Sequence, residues 1–262
     1  MKLLTWNINS VRLRMPLLER IVSELAPDVV CLQEIKTPEE HFPVSGIAAM
    51  GFSHTAVAGM KSYNGVAILS RLPLTDISSR NWCGREDARH IAATLPDGTR
   101  LHNLYVPAGG DLPDPDENDK FAHKLTFLEE MAEWGPEAAR HERRILVGDL
   151  NVAPLPEDVW SHRQMLGVVS HTPMETDRFE RAQHAGGWVD LMRRFTPPEQ
   201  KLYTWWSYRA RDWQASNRGR RLDHVWCSPE VADEATFCLP IPEVRGWERP
   251  SDHVPVLTEF RT

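Results

Sequence analysis

A single α/β or α+β domain spanning residues 1–262 is the fold class this sequence predicts, and three observations predict it. Short apolar runs rich in β-formers recur from end to end, and amphipathic stretches of helical period lie between them. No composition break and no repeat of solenoid length divides the chain. With 262 residues, 41% of them hydrophobic, there is enough apolar material for a substantial core.

Each element carries its own signal. "KLLTW" opens the chain as a strand, and "MPLLERIVSEL" reads as a helix through Leu17, Ile21 and Leu25, with Pro16 suited to its first turn. "DVVCL", "GVAILS", "HIAATL" and "LHNLYV" are the next strands. The Pro- and Asp-rich "GGDLPDPDENDK" is a surface loop, because a strand precedes it and a helix comes soon after. That helix, "KFAHKLTFLEEMAEW", repeats Phe121, Leu125, Leu128 and Ala132 at spacings of four, three and four, with Asn118 or Asp119 as its N-cap. "ILVGDL", "LDHVWC" and "HVPVLTEF" complete the strands.

Charge and cysteine usage limit the function classes. A formal charge of -7 gives no global reason to expect a polyanionic partner, so any polyanion must be met locally. Cys31, Cys83, Cys227 and Cys238 form no metal-type pair, and the apolar company of Cys31 and Cys227 reads as small buried thiols in a reducing cytoplasm. "MKLLTWNINS" is too short an apolar run for a signal peptide, and no stretch approaches twenty apolar residues, so neither secretion nor a membrane partner is expected.

Polar oxygen donors recur where apolar strands should end quietly. Asn7 and Asn9 close the first strand, Glu34 the second, Tyr105 the "LHNLYV" run, and Asp149 and Asn151 the "ILVGDLN" run. Asp223 sits inside "LDHVWC", and Asp252 and His253 stand at the start of the last strand. Singly, each has a local explanation: Asn7 in an Asx-turn, Asp149 capping the segment after Gly148, Glu34 paired with Lys36, His253 as a satisfied strand-end histidine, Tyr105 as a half-buried aromatic. Together they do not, because an unpaired buried charge costs on the order of 3–5 kcal/mol, a large part of a domain's stability. Asn7, Glu34, Asp149, Asn151 and Asp252 are hard oxygen donors of the kind Mg²⁺ or Mn²⁺ accepts, and no thiolate or HExxH array offers a zinc alternative. His253, held by a carboxylate such as Asp223, suits a phosphoryl group or proton transfer.

In this order, "TWNINSVR" (5–12), "LQEIK" (32–36), "NLYVPAGG" (103–110), "GDLNVAP" (148–154), "NRGRRLDHVW" (217–226) and "SDHVPV" (251–256) resemble the exonuclease III family of abasic-site endonucleases, within the endonuclease/exonuclease/phosphatase superfamily. The resemblance spans nearly the whole chain. It implies a four-layer α/β sandwich, two mixed β-sheets face to face and flanked by helices, with the site at the strand ends between the sheets. It implies a Mg²⁺- or Mn²⁺-dependent hydrolase of DNA base-excision repair that cuts 5′ to abasic sites in duplex DNA and removes 3′-terminal nucleotides or blocking groups, as 3′→5′ exonuclease and 3′-phosphatase. Carried over residue by residue, Glu34 is the principal metal ligand with Asn7 and Asp252 near it, and Asp149, Asn151 and His253 complete the metal-side set. Asp149 activates the attacking water, Asn151 positions it, His253 oriented by Asp223 binds the scissile phosphate, and Tyr105 assists. General-base help is worth ~10²–10⁴ in rate, so metal and preorganised donors supply the rest.

An acidic chain needs a local grip on DNA. "RARDWQASNRGRR" sets Arg209, Arg211, Arg218, Arg220 and Arg221 against the lone acid Asp212, a phosphate-binding patch next to Asp223. Trp205, Trp206, Tyr208 and Trp213 lie alongside, and the resemblance favours Trp206 or Trp213 as the lining of an abasic pocket. Asn9, Arg12 and Asn217 join the DNA-contacting set, and Lys120 and Lys124, one helical turn apart, extend it. The substrate expected is double-stranded DNA with abasic sites or damaged 3′ ends, bound by a monomer. One departure stands out: the family's Glu-Gly-Arg before "HIAATL" reads "EDARHI" here, with Ala88 in place of Gly. The competing readings are the same metal site acting on a non-DNA phosphoester, against which the arginine and tryptophan segment argues, and a catalytically inactive nucleic-acid-binding regulator.

Overall fold

The computed structural model describes residues 1–261. In chain order the elements are β1 (Lys2–Asn7), α1 (Met15–Leu25), β2 (Val29–Gln33), α2 (Val44–Ala49), β3 (His54–Ala58), β4 (Val66–Ser70), β5 (Thr75–Ser78), β6 (His90–Thr94), β7 (Arg100–Tyr105) and α3 (Asp119–Ala138). Next come β8 (Arg144–Asp149), α4 (His162–Met165), α5 (Pro173–Ala185), β9 (Val189–Asp190), α6 (Leu191–Phe195), α7 (Trp213–Ser216), β10 (Asp223–Cys227), α8 (Pro229–Glu234), β11 (Ala235–Pro240) and β12 (Val256–Phe260). They form two six-stranded sheets, ordered β11-β12-β1-β2-β4-β3 and β5-β6-β7-β8-β10-β9. Each sheet is mixed, with one parallel pair at its centre, β1 with β2 and β7 with β8. Among the described residues no helix is long and apolar enough to cross a membrane.

The runs are continuously apolar because both faces of each central strand are covered. Leu3, Val29, Cys31, Val66, Ile68, Ile145, Val147 and Val225 point inward and pack sheet on sheet. Their neighbours Leu4, Val30, Leu32 and Leu69 point outward against Leu18, Ile21 and Val22 of α1. Leu104, Leu146 and Trp226 do the same against Phe127, Leu128 and Met131 of α3 and Phe179 of α5. Helix α1 starts with Pro16 in its first turn, and α3 is capped by Asn118, whose side chain accepts the Lys120 N–H.

Along the inward faces the apolar pattern turns polar toward one end of the sandwich. Thr5, Gln33 and Asn103 are fully buried there, with Gln33 Nε2 donating to Thr5 Oγ1 at 3.0 Å and to Asn103 Oδ1 at 2.7 Å, and Asn103 Nδ2 donating to the Leu32 and Ala67 carbonyls. This inter-sheet network, in which the buried Gln33 Oε1 is left without a partner, is the floor beneath the site. Two expectations are corrected here. Asp252 and His253 do not begin the last strand, because β12 starts at Val256 and the His253 backbone instead bridges Trp205. The helix predicted from Lys120 to Trp134 continues to Ala138.

Candidate active site

Strand period explains which side chains meet. Leu3, Thr5 and Asn7 share one face of β1; Ile145, Val147 and Asp149 one face of β8; Leu101, Asn103 and Tyr105 one face of β7; Asp223, Val225 and Cys227 one face of β10. Asp149 therefore lies in register with Tyr105 on one side and Asp223 on the other. Gly148 makes that register possible. At φ 145° it lies hard against β7, and a Cβ there would fall into the Leu104 carbonyl.

Asn7 Nδ2 donates to Glu34 Oε1 at 2.9 Å and to Asp149 Oδ2 at 2.8 Å, so one amide ties the two carboxylates together. His253 Nδ1 donates to Asp223 Oδ2 at 2.8 Å, and its Nε2 lies 3.6 Å from Asp149 Oδ2. Asp149 Oδ1 accepts the Asn151 N–H, and Asn151 Nδ2 donates to the Val106 carbonyl. Asp252 accepts Trp205 Nε1 at 2.9 Å and Asn9 Nδ2 at 3.2 Å. A cavity of about 210 Å³ opens onto Glu34, Tyr105, Asp149, Asn151, Asp252 and His253. Asn7 and Asp223 lie directly behind it.

Burial sets the electrostatics. It raises the Asp149 carboxyl well above its ordinary value, with Asp223 and Glu34 adding to the rise. It works against charge on His253, but the Asp223 and Asp149 carboxylates outweigh it and raise the imidazole to about 10. At Glu34 the Lys36 ammonium at 2.8 Å and the Asn7 amide outweigh burial and lower the carboxyl. Tyr105 is pushed well above 10 by burial and by Glu34 and Asp149, so it stays a hydrogen-bond donor. The backbone is strained at the same place: Asn9, Glu34, Lys36 and Asn151 all have φ near +50°.

The donor set fits a hard divalent cation. Glu34, Asp149 and Asp252 present carboxylate oxygens to one cavity, with the Asn7 amide beside them. Asp149, Asp223 and His253 also bring ligand-type atoms within 4.8 Å of one another. A histidine held protonated by two carboxylates has no lone pair to give, however, so His253 suits an anion better than a metal.

The DNA-contacting set divides. Arg209, Arg211 and Arg218 are exposed, with the Arg218 guanidinium 4.6 Å from the Trp160 ring centre, and Arg12 is exposed on the turn after β1. Arg220 lines the cavity. Arg221 belongs elsewhere: it is fully buried and forks onto Asp158 at 2.8 and 2.9 Å, so it is not part of the patch. Lys124 is also a correction. It is fully buried, paired with Glu175, and donates to the Asn151 carbonyl at 2.7 Å, so it holds the site loop from behind, whereas Lys120 is exposed. Asn9 links Lys36, Asp252 and Tyr208 at the rim. Of the tryptophans, Trp205 lines the cavity, while Trp206 is buried against Tyr203 and Trp213 with its Nε1 on Asn217 Oδ1. Trp206 and Trp213 flank a separate groove. Ala88, at φ 50°, occupies the left-handed region where its missing glycine would rest without strain.

The Glu34–Lys36 pair expected from the sequence is present, whereas sequence reasoning missed Thr204 and Ser251 as parts of the site. Thr204 Oγ1 accepts the Leu222 and Asp223 N–H groups, and Ser251 Oγ donates to the Asn7 carbonyl. Lys124 did carry a signal: it falls between Phe121 and Leu128 on the apolar stripe of α3.

The sequence matches the Endonuclease/Exonuclease/phosphatase family over residues 4–253. It is 30% identical to the Exodeoxyribonuclease III of Haemophilus influenzae, with all of both chains covered. Among solved structures it is similar to a 3′-5′ exonuclease from Neisseria meningitidis, TM-score 0.91 at 34% identity. A Neisseria 3′ phosphatase bound to product DNA hairpin gives 0.91 at 33%, and an AP endonuclease from Archaeoglobus fulgidus 0.92 at 30%. Each of these covers 100% of both chains.

Proposed function

The chain belongs to the endonuclease/exonuclease/phosphatase family, and on that footing we propose that it is a metal-dependent DNA-repair phosphodiesterase that nicks duplex DNA 5′ to abasic sites and clears 3′ termini. One observation carries the reading: a single buried amide, Asn7, joins from behind the Glu34 and Asp149 carboxylates of a cavity that His253 also lines. Glu34 and Asp252, with Asn7 beside them, would hold Mg²⁺ or Mn²⁺, which supplies positive charge to the phosphate oxygens. Asp149, with its raised proton affinity, takes the proton of the attacking water, and Asn151 fixes that carboxylate through its N–H. His253, charged and oriented by Asp223, faces a non-bridging phosphate oxygen, and Tyr105 donates beside it. The exposed Arg209 and Arg218 would contact phosphates of the DNA backbone. The full complement of acids argues against an inactive regulator, and the arginine-aromatic rim against a non-DNA phosphoester. Residues 1–262 work as one unit and as a monomer. The four cysteines are free among the described residues, which supports a cytoplasmic setting.

The test is incubation of the purified chain with a duplex carrying one tetrahydrofuran abasic analogue and with a 3′-phosphate duplex, each with Mg²⁺, Mn²⁺ or EDTA. Metal-dependent products ending in 3′-hydroxyl are expected. A folded protein inert on both substrates in both metals would overturn the assignment.

A further inference from the structure

The wall of the cavity at the site combines two kinds of group: the carboxylates of Glu34, Asp149 and Asp252, and, in the same lining, Val169, Ser170, Trp205, Arg220 and Leu222. Arg220 is the guanidinium within it. Its Nη1 donates to the Val169 carbonyl at 3.1 Å and to Ser170 Oγ at 3.0 Å, and its Cζ stands 5.0 Å from the Trp205 ring centre. Behind it, the Ser170 N–H donates to Glu175, which is itself sealed against Lys124. Trp205 is fixed through Nε1 on Asp252. Among the described residues no carboxylate pairs with Arg220. The site therefore contains a preoriented cation with no carboxylate in direct contact, the nearest acid acting on it being Glu175 behind Ser170, and it lines the same cavity as the catalytic carboxylate.

This wall is chemically selective. An abasic deoxyribose is neutral, and its ring and hydroxyl oxygens offer a guanidinium only uncharged, weaker acceptors. A 3′-terminal phosphate monoester has the reacting phosphorus in the same place, but where an internal diester continues into the next sugar it ends in another anionic oxygen. That oxygen suits a guanidinium fork.

Resting on the phosphodiesterase reading above, we propose that Arg220 is a specificity-determining residue that tunes this site toward 3′-terminal phosphate monoesters over internal abasic diesters. The reaction balances without a further reactant: water forms the new P–O bond, the P–O3′ bond breaks, and the products are a 3′-hydroxyl end and inorganic phosphate.

The experiment compares kcat/KM on three duplexes of one sequence, bearing a 3′-phosphate, an internal tetrahydrofuran analogue, or a recessed 3′-hydroxyl, for the wild type, Arg220→Leu and Arg220→Lys. Inhibition by inorganic phosphate is measured alongside, with melting curves as the check on folding. The wild type is expected to favour the 3′-phosphate over the abasic duplex by at least about 10-fold. Arg220→Leu lowers the monoester rate constant by about 10–100-fold, the range of one charge-assisted hydrogen bond, and lowers the monoester-to-abasic ratio by at least about 10-fold. Phosphate inhibition weakens with it, and Arg220→Lys falls between. A wild type that prefers the abasic duplex overturns the proposal. So does a folded Arg220→Leu that loses all three activities equally or none, since Arg220 is then a general support or a bystander. If Arg220→Leu fails to fold, phosphate inhibition of the wild type and Arg220→Lys decides: an unchanged inhibition constant overturns it. A wild type inert on every substrate overturns the underlying reading, a result distinct from these.

Discussion

Two buried charge clusters flank the strand pair β8 and β10, and they differ in how completely their charges are matched. In the first, Asp158 and Asp190 meet Arg193 and Arg221, with Arg221 forking onto Asp158 and reaching Asp190 at 2.7 Å. The two guanidiniums hold the Asp158 carboxyl below its ordinary value despite burial. In the second, the four carboxylates of Glu34, Asp149, Asp223 and Asp252 are directly paired only with the imidazolium of His253 and the ammonium of Lys36, with Arg220 elsewhere in the cavity lining, and Asp223 Oδ1 has no partner. Arg221 of the first and Asp223 of the second are two residues apart in the chain. The backbone repeats the contrast: φ is positive at Asn9, Glu34, Lys36 and Asn151, and at no member of the first cluster. A matched cluster stabilises; an unmatched, strained one is held by the fold and is ready for a cation and a phosphate.

Single amide substitutions break the comparison most sharply. Asp149→Asn should lower abasic nicking by at least about 10³-fold with no loss of melting temperature, since it removes a charge the fold does not match. Asp158→Asn should do the opposite, lowering unfolding free energy by about 3–5 kcal/mol in urea titrations because Arg221 is left buried with half its partner. Nicking at a temperature where the variant stays folded should persist.

Alkaline titration sharpens it next. The folded His253 is raised above its ordinary 6.5, so the stability it contributes is fully present below about pH 6.5 and is lost as pH rises through about 10. The lowered Asp158 contributes stability that is present above its ordinary 3.8 and lost as pH falls below it. Metal-free protein should therefore lose stability between pH 6.5 and 10, and His253→Gln should flatten that limb in urea titrations while leaving the acid limb. An unchanged alkaline limb in the variant would remove His253 as its source.

The strain at the site gives the smallest effect. Ala88, beside the Arg89 that donates to the Tyr105 carbonyl, sits at φ 50°. Ala88→Gly should stabilise by about 0.5–1 kcal/mol in chemical denaturation, the left-handed relief exceeding the added freedom of the unfolded chain.

The same contrast governs how much of the molecule is legible in its sequence. The eight interior strands are legible because cover on both faces makes most of them largely apolar, whereas β3, β5, β9 and β11 are the four sheet edges and carry weaker runs. Every residue of β5 is exposed. Helix α5 was missed although Thr172 and Glu175 form the capping box that announces it. The site acids are legible because a carboxylate ending an apolar strand needs a reason. Arg221 is not, because a cation within a basic run reads as surface and only the tertiary placement of Asp158 draws it inside; Lys124 is legible only in its position on the apolar stripe of α3, its partner Glu175 being 51 residues away.

The central claim is that the second cluster has fewer directly paired cations than carboxylates and that Glu34 is where a bound cation makes up the difference. Titration of Mn²⁺ into the metal-free protein, with free Mn²⁺ measured by electron paramagnetic resonance, tests this directly for the wild type and Glu34→Gln. The account predicts one saturable class of site in the wild type whose affinity falls by at least about 10-fold in Glu34→Gln while the fold is kept. Equal affinity in the two proteins would contradict it.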